Sequence, residues 1–190
     1  MAVRRIGRWL ACAAVAAALG AVPAVAQQMA APVDVQFSLF FRIFTYDRNL
    51  EQRASGGLVI GVLFQPDVRA SVLAKNEAMR QQPPSGAGFA VRMVPIPLGD
   101  GTDVDSAAAS AGCNVLYVTP LRAVSVGAIA RASRGRGILT LTGVPEYIPE
   151  GIAVGIGLRG DRPEILVNLG ASRQQGADFS AQLLRLARVW

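Results

Sequence analysis

Leu58-Val59-Ile60-Gly61-Val62-Leu63-Phe64 carries no polar side chain. A run of strand length with no polar alternation suits a strand buried on both faces, as in a parallel sheet with helices above and below it. The neighbouring sequence obeys that reading. Gln65-Pro66-Asp67 opens a helix to about Gln81, with Pro66 suited to the first turn and Val68, Val72 and Met79 turned inward. Pro83-Pro84-Ser85-Gly86 stops it, and Phe89 to Pro95 reads as the next strand. Thr102-Asp103-Val104-Asp105 resembles a capping box before a short alanine-rich helix that reaches Ala111. Cys113 to Val118 is another buried strand. Thr119 as cap and Pro120 as first helical residue then launch a helix in which Leu121, Val124, Ala128 and Ala132 share a face, and Ile138 to Thr142 is a fourth strand. Upstream, Phe37, Phe40, Phe41 and Phe44 recur at spacings of three and four, the pattern of an amphipathic helix from about Val35 to Tyr46.

After Thr142 the pattern changes. Ile152 to Leu158 and Ile165 to Leu169 are apolar runs joined by Arg159-Gly160-Asp161-Arg162-Pro163, which is hairpin chemistry. A last helix follows, with Ser180 as cap, Phe179 stapled onto Leu184, and Leu183, Ala187 and Trp190 continuing a buried stripe while Arg185 and Arg188 point outward. The alternation predicts a single three-layer α/β domain with a mixed, mostly parallel sheet and a C-terminal antiparallel hairpin plus helix. No internal repeat or linker divides it, and a chain of this length suits one domain burying about 70 % of its unfolded surface.

The first 26 residues read differently. Arg4, Arg5 and Arg8 precede an apolar run from Trp9 to Ala21, and Ala24-Val25-Ala26 before Gln27-Gln28 is a small-residue cleavage site. That is the pattern of a secretory signal peptide. The run is mostly alanine, is broken by Pro23, and falls short of the ~20 strongly apolar residues of a spanning helix. Residues 1–26 are therefore expected to be removed on export to the periplasm, leaving 27–190 as a domain that does not itself span the membrane. Arginines crowd the side of Cys12 where a lipoprotein signal needs apolar residues. The whole chain holds 19 Lys and Arg against 13 Asp and Glu. Loss of the three arginines leaves the exported part with a net charge of only +3. No basic block interleaved with aromatics suggests nucleic acid. Cys12 would leave with the signal, so Cys113 has no partner for an internal disulfide, and its place at the start of an apolar run predicts burial.

The candidate motifs point away from catalysis. The chain has no histidine, which removes Ser-His-Asp and Cys-His nucleophile activation and every His-ligated metal site. Gly155-Ile156-Gly157-Leu158-Arg159-Gly160 matches the glycine spacing of a dinucleotide loop, but a turn and another strand follow it where a helix is required. Asp100, Asp103 and Asp105 lack the spacing of a calcium loop and read as a helix cap with solvated carboxylates. Arg134 and Arg136, with Arg131 and the intervening glycines, are candidates for holding an anion through guanidinium forks and free amides. The alternative is a helix that ends in arginines and a glycine stop. No catalytic residue, metal ligand or cofactor is expected.

Three segments together resemble the YfiR-like family of exported proteins. They are Phe40-Phe41-Arg42-Ile43-Phe44-Thr45-Tyr46 leading into the strand Val59-Ile60-Gly61-Val62-Leu63, the strand Cys113-Asn114-Val115-Leu116-Tyr117-Val118, and Asn168-Leu169 followed by the helix Ser180-Ala181-Gln182-Leu183-Leu184-Arg185-Leu186-Ala187-Arg188-Val189. The resemblance implies a Rossmann-like periplasmic domain that forms dimers and binds proteins. Its relatives restrain an inner-membrane diguanylate cyclase by holding that enzyme's periplasmic sensor domain, and so control cyclic-di-GMP and biofilm formation. Tyr46-Asp47 stands where the family has Trp-Pro, Asn114 stands where it has a histidine after the strand cysteine, and the partner cysteines of redox-sensitive relatives are absent. Redox control therefore does not carry over. The expected partner surface is the outer face of the aromatic helix around Phe40, Phe41 and Tyr46, since fewer than all of its aromatics should fit one core. The rival readings are an accessory protein of an envelope transport complex and a small-solute site at the carboxyl ends of the parallel strands, near Phe64-Gln65 and Thr119-Pro120.

Overall fold

The computed structural model describes residues 28–99, 101–122 and 124–190. The expected signal peptide, Asp100 and Ala123 lie outside the described residues. Seven strands form one sheet in the spatial order β2-β1-β3-β4-β5-β6-β7. They are β1 (Leu58–Phe64), β2 (Val91–Pro97), β3 (Val115–Val118), β4 (Leu139–Thr142), β5 (Val154–Arg159), β6 (Arg162–Val167) and β7 (Arg188–Val189). The first five are parallel, β5 and β6 form an antiparallel hairpin, and β7 runs parallel to β6. The helices are α1 (Val33–Phe44), α2 (Leu50–Arg53), α3 (Arg69–Ala78), α4 (Val104–Ser110), α5 (Val126–Arg136), α6 (Leu169–Gln174) and α7 (Ala181–Leu186).

Alternation along the strands divides the core in two. Leu58, Ile60, Val62, Val115 and Tyr117 point to the face covered by α1, α3, α6 and α7. Leu63, Leu116 and Val118 point to the other, where Ala108 of α4 and Val126 and Ile129 of α5 meet them. Gly61 is needed in mid-strand because a Cβ there would lie 2.7 Å from Cys113 Sγ and 2.7 Å from a Leu116 methyl. Edge strand β2 carries Pro95 and Pro97, which lack the donors that an additional strand would use.

Four sequence expectations change. The helix after β1 starts at Arg69, with Pro66 in the preceding turn. The helix after β3 starts at Val126, because Ser125 caps it and Thr119 is drawn inside, where its hydroxyl donates to the Leu63 carbonyl at 2.7 Å. The face it buries is consequently Val126, Ile129, Ala130 and Ser133. At the end of the chain, Ser180 does cap α7, but the helix stops at Leu186 and Arg188–Val189 join the sheet beside β6. Trp190 is thus 41 % exposed, with the Arg188 guanidinium 4.4 Å from its ring, and does not continue a buried stripe. Finally, all four phenylalanines of α1 enter the core. Phe40 is 0 % and Phe41 is 3 % exposed, since α1 lies on the sheet with Phe37 against Tyr117 on one side and Phe44 against Phe89 on another. The outer face of α1 carries Asp34, Ser38 and Arg42 instead.

Candidate functional site

The sheet order places a topological switch point between β1 and β3. From β1 the chain crosses to β2, and from β3 it crosses to β4 in the opposite direction, so the loops at the carboxyl ends of these strands diverge. In open α/β sheets that divergence leaves a crevice. Here its volume is about 440 Å³, and it is lined by Asp67, Val68, Arg69, Ala70 and Leu73 from the β1 side and Pro120, Leu121 and Arg122 from the β3 side.

Hydrogen bonds to one another and to the adjoining core fix both walls. Ser71 Oγ accepts from the Gln65 amide at 2.8 Å and lies 2.6 Å from Thr119 Oγ1. The Arg122 amide donates to the Gln65 side-chain carbonyl, and the Leu121 amide donates to Tyr147 Oη at 2.9 Å. The Tyr147 hydroxyl is thus an acceptor, and burial pushes its pKa up, which keeps it protonated.

A second groove of about 770 Å³ lies between the outer side of α1 and the β5–β6 hairpin. Asp34, Val35, Ser38 and Leu39 line it from α1, Arg159 and residues 162–165 from the hairpin, and Leu186 of α7 lines it as well. Arg159 is ion-paired to Glu164 there. Among the described residues Leu186 is the most exposed of the large apolar side chains, and Leu158, Val189 and Trp190 are exposed on the same β5–β7 side of the sheet.

The other sequence candidates are placed as follows. Phe40 and Phe41 are core residues, and Tyr46, half-buried, follows the end of α1. Arg134 and Arg136 occupy the last turn of α5, before Gly137 in the left-handed region. Arg136 is paired to the Asp105 carboxylate, and Arg134 donates to Gln174 Oε1 at 3.0 Å. Their forks are therefore directed to different neighbours. The Arg136 bond holds the Asp105 carboxyl below its usual range, and Ser106 does the same for Asp103, the cap of α4. Gly155, Gly157 and Gly160 lie in β5 and its hairpin turn. Cys113 is buried, and burial pushes its thiol pKa up. Among the described residues no cluster of His, Cys, Asp or Glu could hold a metal ion, and no helix is long and apolar enough to cross a membrane.

Two polar residues, Asn114 and Asp47, make structural bonds that sequence reasoning missed. Asn114 Oδ1 accepts from the Val59 amide at 2.9 Å, while its Nδ2 donates to the carbonyls of Arg53 and Gly57. Asp47 Oδ1 accepts from the amides of Asn49 and Asp178. Polar side chains beside a buried strand were the available signal.

These features define a three-layer, doubly wound α/β protein whose sheet ends in an antiparallel hairpin. The chain belongs to the YfiR/HmsC-like family, whose model matches residues 35–188. No curated protein matches the sequence. Among solved structures, a conserved domain protein from Vibrio cholerae is 14 % identical with a TM-score of 0.59, over 83 % of this chain and 60 % of that one. The ABC domain from Streptococcus pneumonia, solved in complex with L-Trp, is 9 % identical with a TM-score of 0.56, over 78 % of this chain and 60 % of that one. Both likenesses are of fold. The chain spans about 60 % of the length of each.

Proposed function

We propose that this protein is an exported regulatory module that restrains an inner-membrane signalling protein of the diguanylate cyclase type by holding its periplasmic sensor domain. The observation that carries the reading is the family match over residues 35–188, which takes in nearly every element of the domain, from α1 to the edge strand. The module would act by differential binding. If it prefers the inactive conformation of its partner, capture lowers cyclic-di-GMP output and release raises it. A shift from mostly inactive to mostly active requires the two partner conformations to differ in affinity by about 10⁴-fold.

The groove beside α1 is the contact surface we assign to this partner, together with Tyr46. Val35 and Leu39 offer half-buried apolar surface there, and Asp34, Arg159 and Arg162 supply a charged rim, the composition of an interface centre and its border. A dimer, as in the relatives, would use the β5–β7 side, where Leu158, Val189 and Trp190 are exposed.

In-cell crosslinking of a tagged protein, followed by solubilisation of the inner membrane and mass spectrometry, tests the reading. A membrane protein with a periplasmic sensor and a cytoplasmic cyclase is the expected capture, and deletion of this protein should raise cyclic-di-GMP. Capture of envelope transport components alone, with cyclic-di-GMP unchanged, would replace the regulatory role with an accessory one.

A further inference from the structure

The crevice at the β1/β3 switch point is separate from the α1 groove, and its chemistry is selective. Its volume of about 440 Å³ lies within the ~300–1,000 Å³ range of small-molecule sites. Val68, Ala70, Leu73, Pro120 and Leu121 give it apolar walls. Arg69, the first residue of α3, and Arg122, in the loop after β3, line it from opposite walls with a single acidic residue, Asp67. Among the described residues neither arginine is ion-paired, although Arg48, Arg53, Arg136 and Arg159 all are.

The loops themselves are committed to one shape. The Gln65 amide and side chain, Ser71, Thr119 and the Leu121 and Arg122 amides bond to one another or to the adjoining core. Internal partners thus hold the two walls at a set separation while the two arginine side chains keep their donors for solvent or for a ligand. Walls fixed in advance lower the ordering cost of binding. A net positive charge over apolar walls selects a small anion with an apolar body, because a guanidinium fork matches a carboxylate in plane and in charge.

We infer that the crevice between Arg69 and Arg122 binds a small organic carboxylate, with its charged end on the guanidiniums and its apolar end against Val68, Leu73 and Leu121. The site does not depend on the regulatory reading. It gives the domain a ligand input whatever protein the α1 groove holds.

The test is titration of the purified protein with benzoate, benzamide and inorganic phosphate, followed by calorimetry and by amide chemical shifts. Benzoate should bind and shift the amides of residues 65–73 and 119–122. Benzamide, which lacks the charge, and phosphate, which lacks the apolar body, should bind at least about tenfold more weakly. Arg69→Ala and Arg122→Ala should each weaken benzoate about tenfold or more, and the double variant should abolish binding while melting at the wild-type temperature. Equal binding of benzamide or phosphate would overturn the inference, as would benzoate binding that survives the double variant or maps elsewhere. Absence of benzoate binding at ~10 mM, where even weak ligands stabilise measurably, would overturn it as well. Crosslinking to a membrane partner could succeed or fail independently of each of these results.

Discussion

The guanidinium Nε of Arg53 lies 3.5 Å from Asp47 Oδ2, with both side chains almost entirely out of solvent. Neither of those two atoms has a hydrogen bond, so this contact is one of charge. The rest of the Arg53 fork donates to the carbonyls of Asn114, Gly137 and Gln175 at 3.3, 2.9 and 3.1 Å. A single side chain thereby connects the end of α2 to the start of β3, the end of α5 and the end of α6. Burial lowers the Arg53 pKa and Asp47 opposes that shift, but an arginine remains charged throughout. Arg53→Met leaves the buried Asp47 carboxylate without its countercharge and takes one donor from each of three carbonyls. It should cost about 3–5 kcal/mol in urea unfolding. A loss under about 1 kcal/mol would mean that water takes over the bonds.

Cys113 should behave as an inert thiol. Burial raises its pKa from 9.0, with Arg92 opposing more weakly, so little thiolate exists at neutral pH. A disulfide reagent at pH 8 should label it fully only after unfolding, and fast labelling of the folded protein would contradict its buried place beside Gly61. Gly61→Ala brings a methyl to 2.7 Å from its sulfur. Overpacking of that kind should destabilise by about 1–3 kcal/mol.

The exposed pair of Asp105 and Arg136 should show in the acid limb of stability. The bond from Arg136 depresses the Asp105 carboxyl below its ordinary 3.8. The folded state therefore binds that proton more weakly than the unfolded chain does. The pair's contribution is complete above pH 3.8 and is lost as pH falls through the depressed folded value. Melting curves of the wild type and Asp105→Asn should differ at pH 5, converge as acid is added, and differ less in high salt. A constant difference across that range would remove the pair from the account.

The apolar runs made the sheet legible. The boundaries of β1 match the sequence reading and those of β3 and β4 lie within a few residues of it, because a strand buried on both faces has no competing pattern, while the β5–β6 hairpin is legible from its turn residues. The start of α5 was not legible, since Thr119 and Ser125 are both good caps. What separates them is a tertiary bond, Thr119 Oγ1 to the Leu63 carbonyl. The place of Trp190 is not legible for a similar reason. Helical spacing continues through Ala187, but β6 offers an unpaired edge that Arg188–Val189 take up. A crevice at the carboxyl ends of β1 and β3 is legible too, since a switch point follows from strand order alone. The placing of Arg69 and Arg122 on opposite walls of it brings together the start of α3 and the loop after β3, more than fifty residues apart, and nothing local in either segment encodes it.

The aromatic residues of α1 give the sharpest contrast between packing and contact. Phe40→Ala and Phe41→Ala each remove a fully or nearly fully buried ring and should cost about 3–5 kcal/mol of stability. Any loss of partner binding in those variants would follow from loss of the fold. Leu39→Arg and Tyr46→Ala act at half-buried positions, of which Leu39 lines the groove against the hairpin. A charge in the apolar centre of an interface opposes docking more than it opposes folding at a surface that is already half wet. These two variants should keep the wild-type melting profile to within about 1 kcal/mol and release the crosslinked partner, with cyclic-di-GMP rising as in the deletion. Partner capture that persists in a folded Leu39→Arg protein would move the contact surface away from the α1 groove, to the β5–β7 side that carries Leu158 and Trp190.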